Sequence, residues 1–398
     1  MGRRYTRGMD LKNRVHQLFI EKFGRAPDFV ACAPGRVNLL GEHVDYNDGW
    51  VMPVAIDRAT YIAFSTTASD QTALWAGDFH QQASFSPRTL SSKTQSDDSP
   101  LPDWAHYPAG VMWSLRESGY ETPAMQAVFI SDVPRGAGLS SSASVELAFG
   151  VAWMTLGGWK IEPMDLALLC QRAENQYVGV NCGIMDQFAS ACGERDHLLV
   201  LDCRSLEYRS FALPKDVAIV VADTSVRRKL TDSAYNDRRA ACEEAVRILK
   251  QDLPNIKSLR DVNAAQFEEL SAKLPVQVEK RARHVVEEMK RTERAVSFLE
   301  AGDIAGFGDL MNQCHVSLRD LYEVSCPELD AMARIAQSLD GCYGARLTGA
   351  GFGGCTVNLV EREKVHDFEE ILATRYESET GLHPEMYVCT SADGAGLV

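Results

Sequence analysis

Apolar residues recur along the chain at two spacings, and the alternation between them sets the expected architecture. Leu11, Val15, Leu18, Phe19 and Phe23 fall on one side of a helix predicted over residues 11–24. Apolar stretches at 29–33, 52–65, 127–130 and 217–222 read as strands instead. Helical spacing returns at Val145, Ala148, Phe149, Ala152, Trp153 and Leu156. It returns again over 163–178, where Pro163 suits a first helical position and Leu166, Leu169, Cys170, Ala173 and Tyr177 share a side. Two further helices are expected at 234–250 and 276–300. In the second, Val278, Ala282, Val285, Met289, Val296 and Leu299 turn inward, and its many charges read as a solvated face. Residues 84–103 turn to Ser, Pro, Thr, Lys and Asp and read as an exposed loop. No repeat of fixed period is visible. The pattern predicts an α+β chain of two domains, residues 1–205 and residues 206–398.

Composition narrows the class without choosing a function. The 398 residues are 45% apolar, enough for a full core, and 55 acidic against 41 basic residues give a net charge of -14. That balance argues against non-specific nucleic-acid binding while leaving room for a local positive pocket. Eleven cysteines, an odd number with no two-residue pairing, resemble the reduced thiols of an intracellular protein. Arg3, Arg4 and Arg7 are followed by Asp10 and Lys12 and not by an apolar leader. The longest apolar runs, such as 217–222, fall well below the roughly 20 residues that span a bilayer. A cytoplasmic chain with no membrane and no nucleic-acid partner is the expectation.

Three segments carry candidate chemistry. In the first, residues 33–46, the polar side chains of Arg36, Glu42, His43 and Asp45 crowd against a short strand, which points to a small polar ligand. The second is Pro134, Arg135, Gly136, Ala137, Gly138, Leu139, Ser140, Ser141, Ser142, Ala143 and Ser144, at the start of a helix. Its glycines free several backbone amides beside a helix N-terminus, a geometry that receives anions. A serine-capped helix explains the same residues equally well. The segment lacks the Gly-Lys-Ser or Gly-Lys-Thr ending of the common phosphate loop. Ser142 with Glu174 would suit a hard cation such as magnesium, whereas Glu174 alone reads as a surface carboxylate. The third segment, Thr348, Gly349, Ala350, Gly351, Phe352, Gly353 and Gly354, permits close backbone approach or a tight turn.

Taken in order, these three segments resemble the galactokinases, within the superfamily of galactose, homoserine, mevalonate and phosphomevalonate kinases. Residues 182–187, 202–206 and 324–330, and Tyr235 with Arg238 and Arg239, extend the resemblance over nearly the whole chain. It implies a two-domain sugar kinase with the active site in the interdomain cleft. The implied reaction moves the γ-phosphoryl group of ATP to the C1 hydroxyl of α-D-galactose, with galactose and ATP as partners and no obligate protein partner. By the same resemblance Asp186 faces that hydroxyl as base and Arg36 assists it. Glu42, His43, Asp45, Gly183 and Tyr235 would line the sugar pocket, residues 134–144 would hold the phosphates of ATP, and Ser142 and Glu174 would contact Mg2+. Kinases for N-acetylgalactosamine, arabinose or galacturonate, and a non-catalytic galactose and ATP sensor, are the competing readings. The retained Ser142-Ala143 pair favours catalysis over the sensor. Val44, Ala350, His106 and Pro108 depart from the usual family pattern, and none removes a proposed catalytic group.

Overall fold

The computed structural model describes residues 2–227 and 231–398, with side chains described except at residues 2–9 and 231–234. The side chains of Arg3, Arg4 and Arg7 therefore lie outside the described residues. The chain is α+β, and its described strands form three sheets. The six-stranded sheet runs in the order Gly396–Leu397, Phe29–Asn38, Pro53–Thr66, Met125–Ser131, Thr72–Ala76 and Gln81–Phe85. All neighbours are antiparallel except Thr72–Ala76 beside Met125–Ser131. Helix Gly2–Phe23 covers one face by burying Val15 and Phe19 against Val30, Ala63, Val128 and Ile130. Helix Ser141–Gly157 covers the other and is buried almost all round, as its run of Ala, Leu, Phe, Val and Trp dictates.

The second half builds a four-stranded antiparallel sheet from Cys342–Thr348, Cys355–Glu361, Val217–Asp223 and Glu385–Cys389. Helices Pro327–Gln337 and Val365–Thr380 pack on one face through Met332, Ile335, Phe368 and Leu372. Helix Ile304–Asp320 packs on Cys342–Thr348, and Val276–Ala301 lies against that helix. A small third sheet, Trp50–Val51, His197–Asp202 and Tyr208–Ala212, was not anticipated. Among the described residues no helix is long and apolar enough to cross a membrane.

Several expectations need correction. The first strand does not stop at 33 but runs to Asn38, so Arg36 sits on a sheet and not in a loop. Its register against Pro53–Thr66 slips between Pro34 and Arg36, and such a bulge re-aims the next side chain. The helix opened by Pro163 is α-helical only to Arg172, after which Ala173–Val178 widens into a π-helical turn that carries Glu174. Single π turns of this kind often mark functional sites. Residues 84–103 are not a free loop: Leu90 and Leu101 are buried, Lys93 Nζ donates to the Tyr177 carbonyl at 2.6 Å, and the Tyr177 hydroxyl donates to the Leu90 carbonyl at 2.8 Å. The charges of Val276–Ala301 are not all solvated either, since Arg281, His284, Glu288 and Arg291 are buried.

Candidate active site

Bulged strand, glycine-rich loop and short helix meet around one carboxylate. Arg36 Nε and Nη2 donate to Asp186 Oδ1 at 2.8 and 2.6 Å, and Ser140 Oγ donates to Oδ2 at 2.5 Å. Arg36 Nη1 donates to the Gly138 carbonyl, and the Arg36 backbone amide to the Leu139 carbonyl at 3.2 Å. Asp186 stands in the first turn of helix Met185–Cys192, where the helix dipole favours a negative charge. A side chain at Gly35 would lie 2.7 Å from the Leu139 carbonyl, so the close docking of strand and loop requires glycine there.

Beside this pair opens a cavity of about 150 Å³. Arg36, Glu42, His43, Asp45, Glu174, Gly183, Asp186 and Tyr235 all line it, joined by Gly349 and Ala350 from the second half of the chain. The sequence pointed to Glu42, His43, Asp45, Gly183 and Tyr235 as sugar contacts, to Arg36 and Asp186 as catalytic groups and to Glu174 as a magnesium contact; it did not single out Gly349, Ala350, Val180, Cys182 or Met185 as lining residues. Gly183 has a steric reason: a Cβ there would fall 1.9 Å from Asp45 Oδ2. Val44 is fully buried and points away from the cavity, packing beneath Gly49.

The walls divide by charge. His43 holds a left-handed backbone (φ 61) and donates or accepts at Nδ1 with the Tyr46 hydroxyl at 2.9 Å, while its buried Nε2 has no hydrogen-bond partner in the protein. Burial pushes its pKa down to about 3, with His284 adding to the effect and the Ala350 backbone opposing it, so the ring is neutral near pH 7. Burial and then Asp186 raise Asp45 to about 7. Glu42 does not face the cavity freely. Its Oε2 accepts from Arg346 Nη2 at 2.6 Å, and the same guanidinium satisfies the Leu39 and Asn38 carbonyls. Gly41 N donates to Glu288 Oε1 at 2.8 Å and His284 Nε2 meets the Glu42 carbonyl at 3.2 Å, so the supposedly solvated helix supports this loop from behind.

A third cluster flanks Asp186. Gln187 Nε2 bridges Glu174 Oε2 at 2.6 Å and Glu146 Oε2 at 2.9 Å, and Ser142 and Cys182 also hydrogen-bond Glu174. Glu146 Oε1 and Gln187 Oε1 are buried without a partner in the protein. Burial, then the charge of Asp186, lifts Glu174 to about 7; burial, then Glu174, lifts Glu146 well above its ordinary range. Sequence reasoning missed Glu146, which looks like any helical carboxylate; only its place between Val145 and Leu147 hinted at burial.

Because Glu146 keeps its proton in the fold above the pH at which the unfolded chain loses it, the folded state binds more protons and loses stability as pH rises from about 4.5. Glu146→Gln removes this loss. The variant is expected to match the parent near pH 4.5 and to gain stability over it steadily toward pH 8 in urea unfolding. A stability difference independent of pH would show that Glu146 is not held protonated.

The loop residues serve unequal ends. Ser144 is fully buried, its hydroxyl donating to the Ala33 carbonyl at 2.8 Å and hydrogen-bonded with the Thr60 hydroxyl at 2.7 Å, so it is occupied within the fold. Ala137, Leu139 and Ala143 are buried as well. Gly138 meets the second glycine segment directly, since a Cβ on it would lie 2.6 Å from the Thr348 carbonyl.

Comparison with known proteins matches this arrangement. Models of the GHMP kinase N-terminal and C-terminal domains match residues 106–194 and 295–378, and a galactokinase galactose-binding signature matches residues 17–66. The Methanococcus jannaschii mevalonate kinase shares the fold, with a TM-score of 0.63 at 18% identity over 92% of this chain and 98% of that one. Fold and site thus define a two-domain small-molecule kinase of the GHMP class. A Roseiflexus galactokinase is 47% identical over 384 residues, 96% of each chain. The structure of Lactococcus lactis galactokinase complexed with galactose superposes with a TM-score of 0.92 at 34% identity, covering 97% of this chain and 99% of that one. The chain belongs to the galactokinase family.

Proposed function

We propose that the protein transfers the γ-phosphoryl group of ATP to the C1 hydroxyl of α-D-galactose, giving α-D-galactose 1-phosphate and ADP. The observation that carries this reading is the Asp186 carboxylate, gripped by Arg36 and Ser140 at the wall of a compact cavity that several charged side chains line. In the step proposed, the O1–Pγ bond forms as the bond from Pγ to the β,γ-bridging oxygen breaks. The hydroxyl proton passes to Asp186, and the electron pair leaves with ADP. A loose transition state needs the hydroxyl in line more than it needs a strong base. The rigid hold on Asp186 suits that need, and Arg36 places a permanent cation beside the transferring group.

Glu42, His43, Asp45, Gly183 and Tyr235 are assigned to the sugar. The unpartnered Nε2 of His43 is a ready partner for a hydroxyl, and a site built on such pairings can reject an epimer by factors reaching roughly 10⁴. Pro134, Gly136, Ala137, Gly138, Leu139, Ser141, Ser142 and Ala143 form the phosphate-facing loop, mainly through backbone amides. The donor set also fits Mg2+: Ser142 and Glu174 offer oxygens, and the orphaned Gln187 oxygen lies in the same cluster. When bound, that ion would neutralise phosphate charge during transfer. Magnesium at a phosphate-transfer site is commonly held by one or two protein oxygens together with phosphates and water. The reading divides the chain at residues 205 and 206 and places it in the cytoplasm, without a nucleic-acid or obligate protein partner.

The test is a sugar panel with ATP and Mg2+. Galactose is expected to be consumed fastest and to yield the 1-phosphate by phosphorus NMR. Turnover of N-acetylgalactosamine, arabinose or galacturonate in its place would reassign the substrate. Nucleotide-dependent capture of a partner without turnover would reassign the class to a sensor.

A further inference from the structure

Ser140 stands in a conformation its residue type disfavours. Its backbone lies in the left-handed region (φ 59, ψ 49), where a Cβ crowds the following carbonyl and glycine is the natural choice. Two glycines close by in the same loop, Gly136 and Gly138, take positive φ without that cost. Helix capping does not account for the serine, because its side chain makes no cap hydrogen bond to helix Ser141–Gly157. The hydroxyl, on a residue only 8% exposed, goes instead to Asp186 Oδ2 at 2.5 Å. Strain retained at a functional site points to what the strained residue touches.

The neighbouring loop atoms reinforce the point. The carbonyls of Gly138 and Leu139 accept from the Arg36 side chain and backbone, and Arg36 in turn occupies Asp186 Oδ1. Three consecutive loop residues thus fix both members of the Arg36 and Asp186 pair. Resting on the phosphoryl-transfer reading above, we infer that Ser140 is a positioning residue for Asp186, tying the orientation of the proton acceptor to the loop that receives the phosphates. With Arg36 on one carboxylate oxygen and Ser140 on the other, the carboxylate cannot rotate, and the sugar hydroxyl meets it in a single orientation.

Ser140→Gly is the decisive variant, since glycine takes the left-handed backbone freely while the hydroxymethyl group that reaches Asp186 is removed. The expected result is a fall in kcat of roughly ten- to hundred-fold, the scale of a displaced reacting group, with KM for ATP and galactose nearly unchanged and a thermal midpoint equal or higher. The same change made in an Asp186→Asn background is expected to cost almost nothing further, because the partner it positions is already gone. Equal losses in both backgrounds would overturn the inference, as would a raised KM for ATP with kcat preserved, which would make Ser140 a nucleotide contact. Wild-type kcat in Ser140→Gly would overturn it as well. High residual activity in Asp186→Asn alone would instead reject the assignment of Asp186, so the two failures are separable.

Discussion

Asp186→Asn lowers galactose turnover by about three orders of magnitude, within the range set by removing a positioned acid or base. Asparagine keeps the shape of the side chain and an oxygen for Arg36 to hold, so the fold is expected to survive, with the thermal transition lowered only by the loss of the countercharge. Alanine is the poorer test. Arg36 is 3% exposed, and without a partner for its guanidinium a loss of activity would be mixed with a loss of fold. Steady-state kcat alongside a melting curve checks the expectation, and near-parental kcat in the asparagine variant would strip Asp186 of its role.

The second large effect falls on stability. Arg346 is fully buried and serves Glu42, the Asn38 carbonyl and the Leu39 carbonyl together. Arg346→Met leaves Glu42 buried without its cation and is expected to cost about 3–5 kcal/mol, a large share of an ordinary folding free energy. Removing both charges, as Arg346→Met with Glu42→Leu, is expected to restore much of that loss while galactose binding stays impaired, because Glu42 lines the cavity. Denaturant midpoints of the two variants measure this. An unchanged midpoint in Arg346→Met would mean that the buried pair does not hold the loop.

The residues that could be read from the sequence are those whose chemistry is unusual for their surroundings. Arg36, Glu42, His43 and Asp45 cluster beside an apolar strand, and Asp186 follows a motif seen in a known family, so they were identifiable although Arg36 and Asp186 are 150 positions apart. Arg346 was not, since a single arginine in an apolar strand gives no sign of a partner 304 positions away. Glu288, Arg291 and His284 look like the outside of any charged helix, and only tertiary packing reveals that this helix backs the loop at Gly41 and Glu42. Glu174 was legible as a candidate cation ligand but its π-helical turn was not, because widening of the helix depends on packing and not on local propensity. Helix and strand positions came largely from periodicity. Of the third sheet, Trp50–Val51 is too short to show a period and Tyr208–Ala212 is largely exposed, whereas the apolar run 198–201 in His197–Asp202 was long enough to be read as a strand.

Gly396–Leu397 pairs with Phe29–Asn38, while Thr390 Oγ1 donates to Asp57 and the Ala395 amide to the Ser190 carbonyl. The strand bearing Arg36 is therefore flanked on one edge by residues synthesised after the entire four-stranded sheet. A nascent chain carrying only the first half emerges from the ribosome with that edge open, a state prone to pairing with the wrong strand. Gly396 and Leu397 meet Cys32 and Ala31, four residues and more before Arg36, and an N-terminal half expressed by itself lacks the segment that covers this stretch of its sheet.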